Sequence, residues 1–399
     1  MTGWKYVVFL VITIMVYAGL LFWSFRRFLC FLPLAPHRRR WILGALIALY
    51  PCIYFLRRVD RVIRFAYLEN ILTGLYVVAA FFIILAFLIF VRDLLWWALL
   101  GFNRVCRKHP ILPKTAEKRV QFLQYSTLAV VMIAAVLLLI GIYQAFSPLI
   151  VRRVTLYDPR LPPHLDGLQI AVVGDLHIGP TLKGAHVKRV VQLLNAQNAD
   201  LVVIVGDLVD GPWNVVRPML TPLAQLKQPA YFVSGNHELY WGWPNWRSEL
   251  SKLGITVLSN DFHILKRGHS HWMLGGIPDR QRWSTGYSAR DPGPAWSLRD
   301  APPVDYRILL AHRPTTALAA EKAGYQMMIS GHNHGGQFFP FTWIFPLFFG
   351  GKAGFWCHGS LFVFVTTGAG FWGPPVRLWN SSEIVVLTLR VGKKGQGCQ

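Results

Sequence analysis

Residues 168–177 read LQIAVVGDLH. An apolar run as short as Leu168–Val173, closed by a glycine, has the length of a strand buried on both faces, and Gly174 hands the chain to Asp175 and His177. The same pattern recurs four times. Leu201–Val205 leads into Gly206-Asp207-Leu208-Val209-Asp210, and Ala230–Val233 into Gly235-Asn236-His237-Glu238. Tyr306–Ala311 leads into His312, and Tyr325–Ile329 into Gly331-His332-Asn333-His334-Gly335-Gly336-Gln337. Segments with helical periodicity, such as Ala185–Leu194, lie between them. Strand–helix alternation of this kind predicts a layered α/β domain, whose sites gather at the loops just past the strand ends.

Each of these polar residues alone carries little information, since a single Asp after a strand is more often a helix cap and a single His a packed core residue. Together they say more: five strands deliver Asp, Asn or His, with no Lys or Arg, to one edge, and packing does not ask for that. In an extended segment side chains alternate, so Asp175 and His177 are expected on one side, as are His332 and His334. Carboxylate, imidazole and amide oxygen without thiolate suit a divalent ion such as Mn, Fe, Zn or Ni. Glycines at 174, 206, 235 and 331 allow tight turns and close backbone approach. The candidate ligands Asp175, His177, Asp207, Asn236, His312, His332 and His334 are too many for one ion. A pair about 3.5–4 Å apart sharing a carboxylate accommodates them and is used for displacement at phosphorus.

The order D-x-H, G-D-x-x-D, G-N-H-E, H and G-H-x-H over residues 168–337 resembles the calcineurin-like metallophosphoesterases. The segment Gly370–Arg390, with Gly373-Pro374-Pro375-Val376-Arg377-Leu378 and Glu383–Leu389, is similar to the C-terminal end of the bacterial, membrane-linked branch. This resemblance implies a four-layer αββα sandwich. It also implies Asp175, His177, Asp207 and His334 around a first ion, with Asp207 bridging to a second held by Asn236, His312 and His332. His237 then faces the leaving oxygen, and Asp210 supports a ligand His or a loop amide, a plain helix cap being equally open for it. The implied reaction is in-line attack by a hydroxide bridging two metal ions. No G-x-S-x-G elbow, cysteine beside the histidines, or G-x-x-x-x-G-K-[ST] loop supports another nucleophile or phosphate cradle.

Upstream the sequence changes character. Of 399 residues, 53% are apolar and 15% charged, against roughly 25% charged in ordinary soluble domains. This composition excludes a disordered, collagenous or disulfide-scaffold chain. Uncharged runs of 18, 21 and 22 residues, Tyr6–Trp23, Ile71–Val91 and Tyr125–Phe146, match the ~20 residues of a membrane-crossing helix. Trp41–Leu56, 16 residues interrupted by Pro51, reads as a fourth, kinked or re-entrant span. The chain thus divides into a transmembrane helical region, 1–150, of about four helices, and a catalytic domain, 151–399. With four spans, twelve Lys and Arg fall on one side and seven on the other, which places the domain outside the cytoplasm of a bacterial inner membrane; with three the sides reverse.

A net charge of +22 asks for an anionic partner, phospholipid surface or nucleic acid. Lys and Arg outnumber Asp and Glu 17 to 4 before residue 151, against 24 to 15 beyond it, which favours lipid over nucleic acid. Seven aromatics in the thirteen residues Gln337–Phe349, and Trp241, Trp243 and Trp246, either cover the core or form a surface resting on the bilayer. The expected function is a membrane-bound, metal-dependent phosphohydrolase acting on a phosphoester or pyrophosphate of a lipid or lipid-linked substrate. A membrane-associated nuclease or nucleotide phosphodiesterase using the same two ions is the alternative, and a non-catalytic membrane protein with an inherited sandwich is a third. Five cysteines without CxxC pairing indicate neither a disulfide framework nor a zinc knuckle.

Overall fold

The computed structural model describes residues 35–63, 68–105, 113, 115–279, 293–348 and 351–392, with isolated positions before 35. Most of the run 6–23 lies outside the described residues. The chain forms two compact units, one of residues 1–144 with 373–376, the other of 145–372 with 377–399.

In the first unit, α1 (Pro36–Ile63), α2 (Leu68–Val105) and α3 (Ala116–Phe146) contain segments long and apolar enough to cross a membrane. Pro51 does not break α1, which runs on through it for 28 residues. Helix α2 carries Asp93 fully buried against Arg92 at 2.8 Å, and Arg92 also reaches Thr127 Oγ1, so this buried charge is paired. Helix α3 exposes Leu128, Met132, Val136 and Leu139, a stripe that water would not tolerate and acyl chains would.

The second unit holds two six-stranded sheets. The first contains β1 (Ile150–Asp158), β2 (Gln169–Val173), β3 (Leu201–Ile204), β4 (Ala230–Phe232), β5 (Ile255–Val257) and β12 (Glu383–Val391), in the order β1-β12-β2-β3-β4-β5. Strands β2 to β5 run parallel, and β12 joins β2 antiparallel. The second contains β6 (Asp261–Arg267), β7 (Ser270–Ile277), β8 (Tyr306–Ala311), β9 (Met327–Ser330), β10 (Gly354–His358) and β11 (Leu361–Val365), in the order β10-β11-β9-β8-β7-β6. Here β7, β8, β9 and β11 are parallel, and β6 and β10 close the edges antiparallel.

Because side chains alternate along a strand, register decides which residues form each layer. Val385, Val172, Val203 and Tyr231 line up across the first sheet, and Leu274, Ile308, Met327 and Phe362 across the second. Both rows belong to one buried cluster, the core between the sheets. The alternate row Val173, Ile204 and Phe232 packs outward against α4 (Gly184–Asn195), α5 (Trp213–Leu220) and α7 (Trp243–Lys252) through Val187, Val191, Val216 and Leu250. On the opposite face Leu309, Met328 and Val363 pack under Ala317 and Ala320 of α8 (Ala317–Lys322). The result is helix, sheet, sheet, helix. Each central strand is covered on both faces, which is why those strands read as unbroken aliphatic runs.

The two readings left open for the aromatic clusters divide residue by residue. Phe338 and Phe339 are 5% and 4% exposed, so they are core residues and not an outer surface; Trp343, in α9 (Phe341–Phe348), is 67% exposed. Trp246 is likewise buried in the cluster behind the first sheet. Cys357 on β10 is disulfide-bonded, a pairing that cysteine spacing alone did not reveal.

Candidate metal centre

All seven predicted ligand residues stand at the carboxyl ends of parallel strands, but of strands from both sheets rather than from one edge. Asp175 and His177 follow β2, and Asp207 follows β3. Asn236 and His237 open α6 (Asn236–Tyr240) after β4; His312 follows β8, and His332 and His334 follow β9. Backbone bonds tie these loops together: Asp175 N donates to Gly206 O, His177 N to Asp207 O, and Gly331 N to His312 O.

Neither ligand pair is extended, so the alternation expected for them is not what brings them together. Asp175, His177, Asp207, His332 and His334 all adopt left-handed backbone, with φ of 52°, 48°, 50°, 74° and 48°. Asp and His tolerate this region better than most residues, but five such residues at one place is stored strain of the kind found at functional sites.

Two groups of donors result, Asp175 with His177 and His334, and Asp207 with His312 and His332. His177 Nε2 faces His334 Nε2 at 3.1 Å, and His332 Nδ1 faces His312 Nε2 at 3.2 Å. Asp207 Oδ2 lies between the groups, 3.8 Å from His177 Nε2 and 3.1 Å from His312 Nε2. Its other oxygen accepts from the backbone N–H of His237 at 2.9 Å. Asn236 joins from the side: its Oδ1 accepts from Arg313 Nη2, whose Nη1 contacts His332.

Burial and mutual charge set the protonation of this cluster. Burial, reinforced by His237, pushes His177 down to about 3. Burial also holds His332 and His334 well below the ordinary imidazole range, aided by Arg313 at the former and by His177 and Arg377 at the latter. His312 goes the other way, to about 10: burial opposes its charge, but Asp207 at 3.1 Å outweighs it. Burial raises Asp175 to about 7, assisted by Asp207. Asp207, although buried, stays well below the carboxylate range because His312 and His237 surround it. His312 Nδ1 lies 2.7 Å from the carbonyl of Val205, which fixes a proton there and leaves Nε2 aimed into the cluster. Converging imidazole nitrogens and carboxylate oxygens, without thiolate, fit borderline divalent cations and little else.

Around this centre lie residues that position it. Asp210 is no helix cap: its Oδ1 is 3.2 Å from His237 Nδ1 and accepts from Trp241 Nε1. His177, Asp210 and His237 themselves form a third close group. Glu238, fully buried, accepts from the backbone N–H groups of Gly235, Asp207, Leu208 and Val209, clamping the β3 loop to α6. Arg377 is completely buried, with its guanidinium bonded to the carbonyls of Gly370 and Thr367; burial lowers it to about 10 against the pull of Asp175 and Glu383. Both stood inside quoted motifs, yet nothing in spacing showed their use. Arg313 corrects the expectation that no cation reaches this edge, and Asp279, its 2.5 Å partner, went unread for want of a motif around it.

Residues 168–336 match the calcineurin-like phosphoesterase family. The chain is similar to a Bos taurus transmembrane protein with metallophosphoesterase domain, 33% identical over 65% of this chain and 61% of that protein. A Caenorhabditis elegans protein named as a metallophosphoesterase is 30% identical over 80% of this chain and 67% of that one. A Campylobacter jejuni metallophosphoesterase is 33% identical over 59% and 63%. The match thus spans less than two thirds of the bovine relative. By sequence, fold and the donor cluster alike, the chain belongs to the calcineurin-like phosphoesterase family.

Proposed function

We propose that this chain is a membrane-bound phosphohydrolase that uses two divalent cations, with residues 1–150 as its transmembrane region and 151–399 as its catalytic domain. The observation that carries the reading is the pair of donor groups meeting at one carboxylate: Asp175, His177 and His334 on one side of Asp207, His312 and His332 on the other. Asn236 completes the second group. Two such cations, when bound, acidify water and neutralise charge on phosphoryl oxygens.

The protein's own part is positioning and proton transfer. His237 is held by Asp210 at Nδ1 and by its backbone N–H on Asp207, so its ring is oriented without being a member of either donor pair. That makes it the group to protonate the leaving oxygen, with Asp210 keeping the proton on Nδ1 through the cycle. The left-handed loops fix the ligands before substrate arrives, so little reorganisation is left for the reacting step.

A lipidic substrate is supported by what borders the centre. Trp343, Trp372 and Trp379 are 67%, 48% and 64% exposed, and the Trp372 ring stands 6.2 Å from that of His237. Phe339, buried, stacks edge-on with both Trp343 and Trp379 and holds this rim in place. Indole rings favour the headgroup layer, and only three residues separate the end of α3 from β1.

Purified full-length protein in detergent, supplied with Mn, is expected to hydrolyse p-nitrophenyl phosphate and to release phosphate or headgroup from a lipid extract. Hydrolysis of single-stranded DNA or nucleotides with no lipid turnover would replace the lipid reading by the nuclease one. No turnover of any phosphoester by metal-loaded protein would end both.

A further inference from the structure

A lipidic phosphoester can break on either side of phosphorus: its apolar part can leave with the departing oxygen, or it can stay on the phosphoryl group. In-line displacement separates the two sides, because the departing oxygen stands opposite the attacking one. At this centre His237 is the residue assigned to the departing oxygen, so whatever borders His237 borders the leaving group.

That border is aromatic. Tyr240 follows His237 by three residues on α6, hence on the same helix face, and its ring stands 5.2 Å from the imidazole at 61°. Trp372 approaches from a separate segment, its ring 6.2 Å away at 80°. Its main chain holds it there: Trp372 N donates to Gln337 Oε1 at 2.9 Å, and Gln337 Nε2 donates to Trp372 O at 3.0 Å. Gln337 is buried and lies three residues after His334, so the last motif loop itself places the indole. Trp372 still keeps 48% of its surface exposed, which leaves ring area to cover a ligand. The border at His332 is charged instead, with Arg313 paired to Asp279.

We propose that Trp372 and Tyr240 form a subsite for the leaving alcohol, and that this alcohol carries the apolar chain of the substrate. Water gives its hydroxyl oxygen to phosphorus, the P–O bond to the lipid alcohol breaks, and the remaining proton leaves on that alcohol. The phosphoryl product goes to water and the alcohol stays with lipid. This assignment rests on the phosphohydrolase reading and adds to it the side on which the ester is cut.

The test uses the full chain in detergent micelles loaded with Mn. Calorimetry compares methylphosphonate with hexylphosphonate, neither of which can be hydrolysed at carbon, and products are identified from hexyl phosphate and hexylphosphocholine. Wild type is expected to bind hexylphosphonate about tenfold or more tightly than methylphosphonate, the worth of roughly two buried methylene groups. Trp372→Ala keeps the main-chain bonds to Gln337, so it should retain Mn and methylphosphonate affinity while losing most of that preference, with Trp372→Phe in between. Hexanol is the expected product of whichever hexyl ester is hydrolysed. Choline with hexyl phosphate from the diester, or no turnover of either hexyl ester by protein that hydrolyses p-nitrophenyl phosphate, would overturn the subsite and leave the phosphohydrolase reading standing. Equal weakening of both phosphonates in Trp372→Ala would overturn it too, by making the indole a support for His237. Metal-loaded wild type that hydrolyses neither the hexyl esters nor p-nitrophenyl phosphate would overturn both.

Discussion

Adding one methyl group at Gly235 tests the two-group centre without removing any ligand. Gly235 precedes Asn236 and has extended backbone, so what it supplies is space and not conformation. A Cβ there would lie 2.1 Å from Asp207 Oδ1, 2.5 Å from Asp207 N and 2.8 Å from Asp207 Cγ. Real Cβ contacts are not shorter than 3.0 Å, so Oδ1 has to retreat by about 0.9 Å, the difference of the two distances, while ligand distances in metal sites hold within about 0.2 Å. Oδ1 also accepts the N–H of His237, so the same shift disturbs both the carboxylate between the two donor groups and the placement of His237. Overpacking of this kind costs about 1–3 kcal/mol. A misplacement near 1 Å costs on the order of 100-fold in rate. Gly235→Ala is therefore expected to fold, melt several degrees lower, lose metal by elemental analysis and hydrolyse p-nitrophenyl phosphate about 100-fold more slowly. Gly74→Ala, in helix α2 with nothing within 4 Å of its Cβ, is the control and should keep full metal and rate. Wild-type metal and wild-type rate in Gly235→Ala would refute the close approach on which the centre is built.

Other expectations separate the roles within the site. Asp207→Ala should release both cations and abolish turnover, whereas His237→Ala should keep the metal and lose about 10²–10⁴-fold in kcat; equal metal loss in both would contradict the division of labour. The double change Trp343→Ser and Trp379→Ser should lower turnover of a lipidic phosphoester in mixed micelles at least tenfold relative to p-nitrophenyl phosphate, and an unchanged ratio would remove the aromatic rim from substrate binding. Phe339→Ser should instead lower the melting temperature, since Phe339 is buried and leaving it polar costs about 3 kcal/mol or more. Tyr306 is buried and donates to Asp158 Oδ2 at 2.7 Å, and burial, with Asp158 beside it, holds its phenol well above 10. Folded protein then keeps a proton that the unfolded chain sheds above pH 10, so stability falls with rising pH there, by about 1.4 kcal/mol per unit for this group. Tyr306→Phe should flatten the alkaline limb of a melting-temperature profile; an identical limb in the variant would show that the phenol is not its source.

The strands that could be read from sequence are those covered on both faces. Strands β2, β3, β4, β8 and β9 sit at the centres of their sheets between core and helices, so nearly every position is aliphatic and the run announces itself. Strand β1 could not be read this way: it is an edge, IVRRVTLYD, with Arg152 and Arg153 inside it. Strands β6 and β10 are edges too, marked by charges or aromatics that fit a loop equally well. The ligands were legible because each follows such a central run, through a glycine at four of the five strands, a local signal. What that signal cannot carry is why Asp175 and His177 meet: the left-handed turn at each depends on backbone bonds to Gly206 and Asp207, about thirty residues on, and not on alternation along a strand.

The same distinction explains which functional residues stayed hidden. Asp279 and Arg313 are separated by 34 residues and meet because β7 and β8 are adjacent parallel strands whose ends lie side by side. Arg377 in sequence is one more cation in a chain of net charge +22, and only burial among carbonyls distinguishes it from the rest. A strand end and its glycine specify where a candidate ligand stands, but the Arg313–Asp279 contact is placed by pairing between strands, and pairing is a property of the sheet. For a centre assembled from two facing sheets, the metal-binding set is therefore the part a sequence declares. Arg313 beside Asp279 and the tryptophan rim around Phe339 are set instead by tertiary contacts, which no local motif announces.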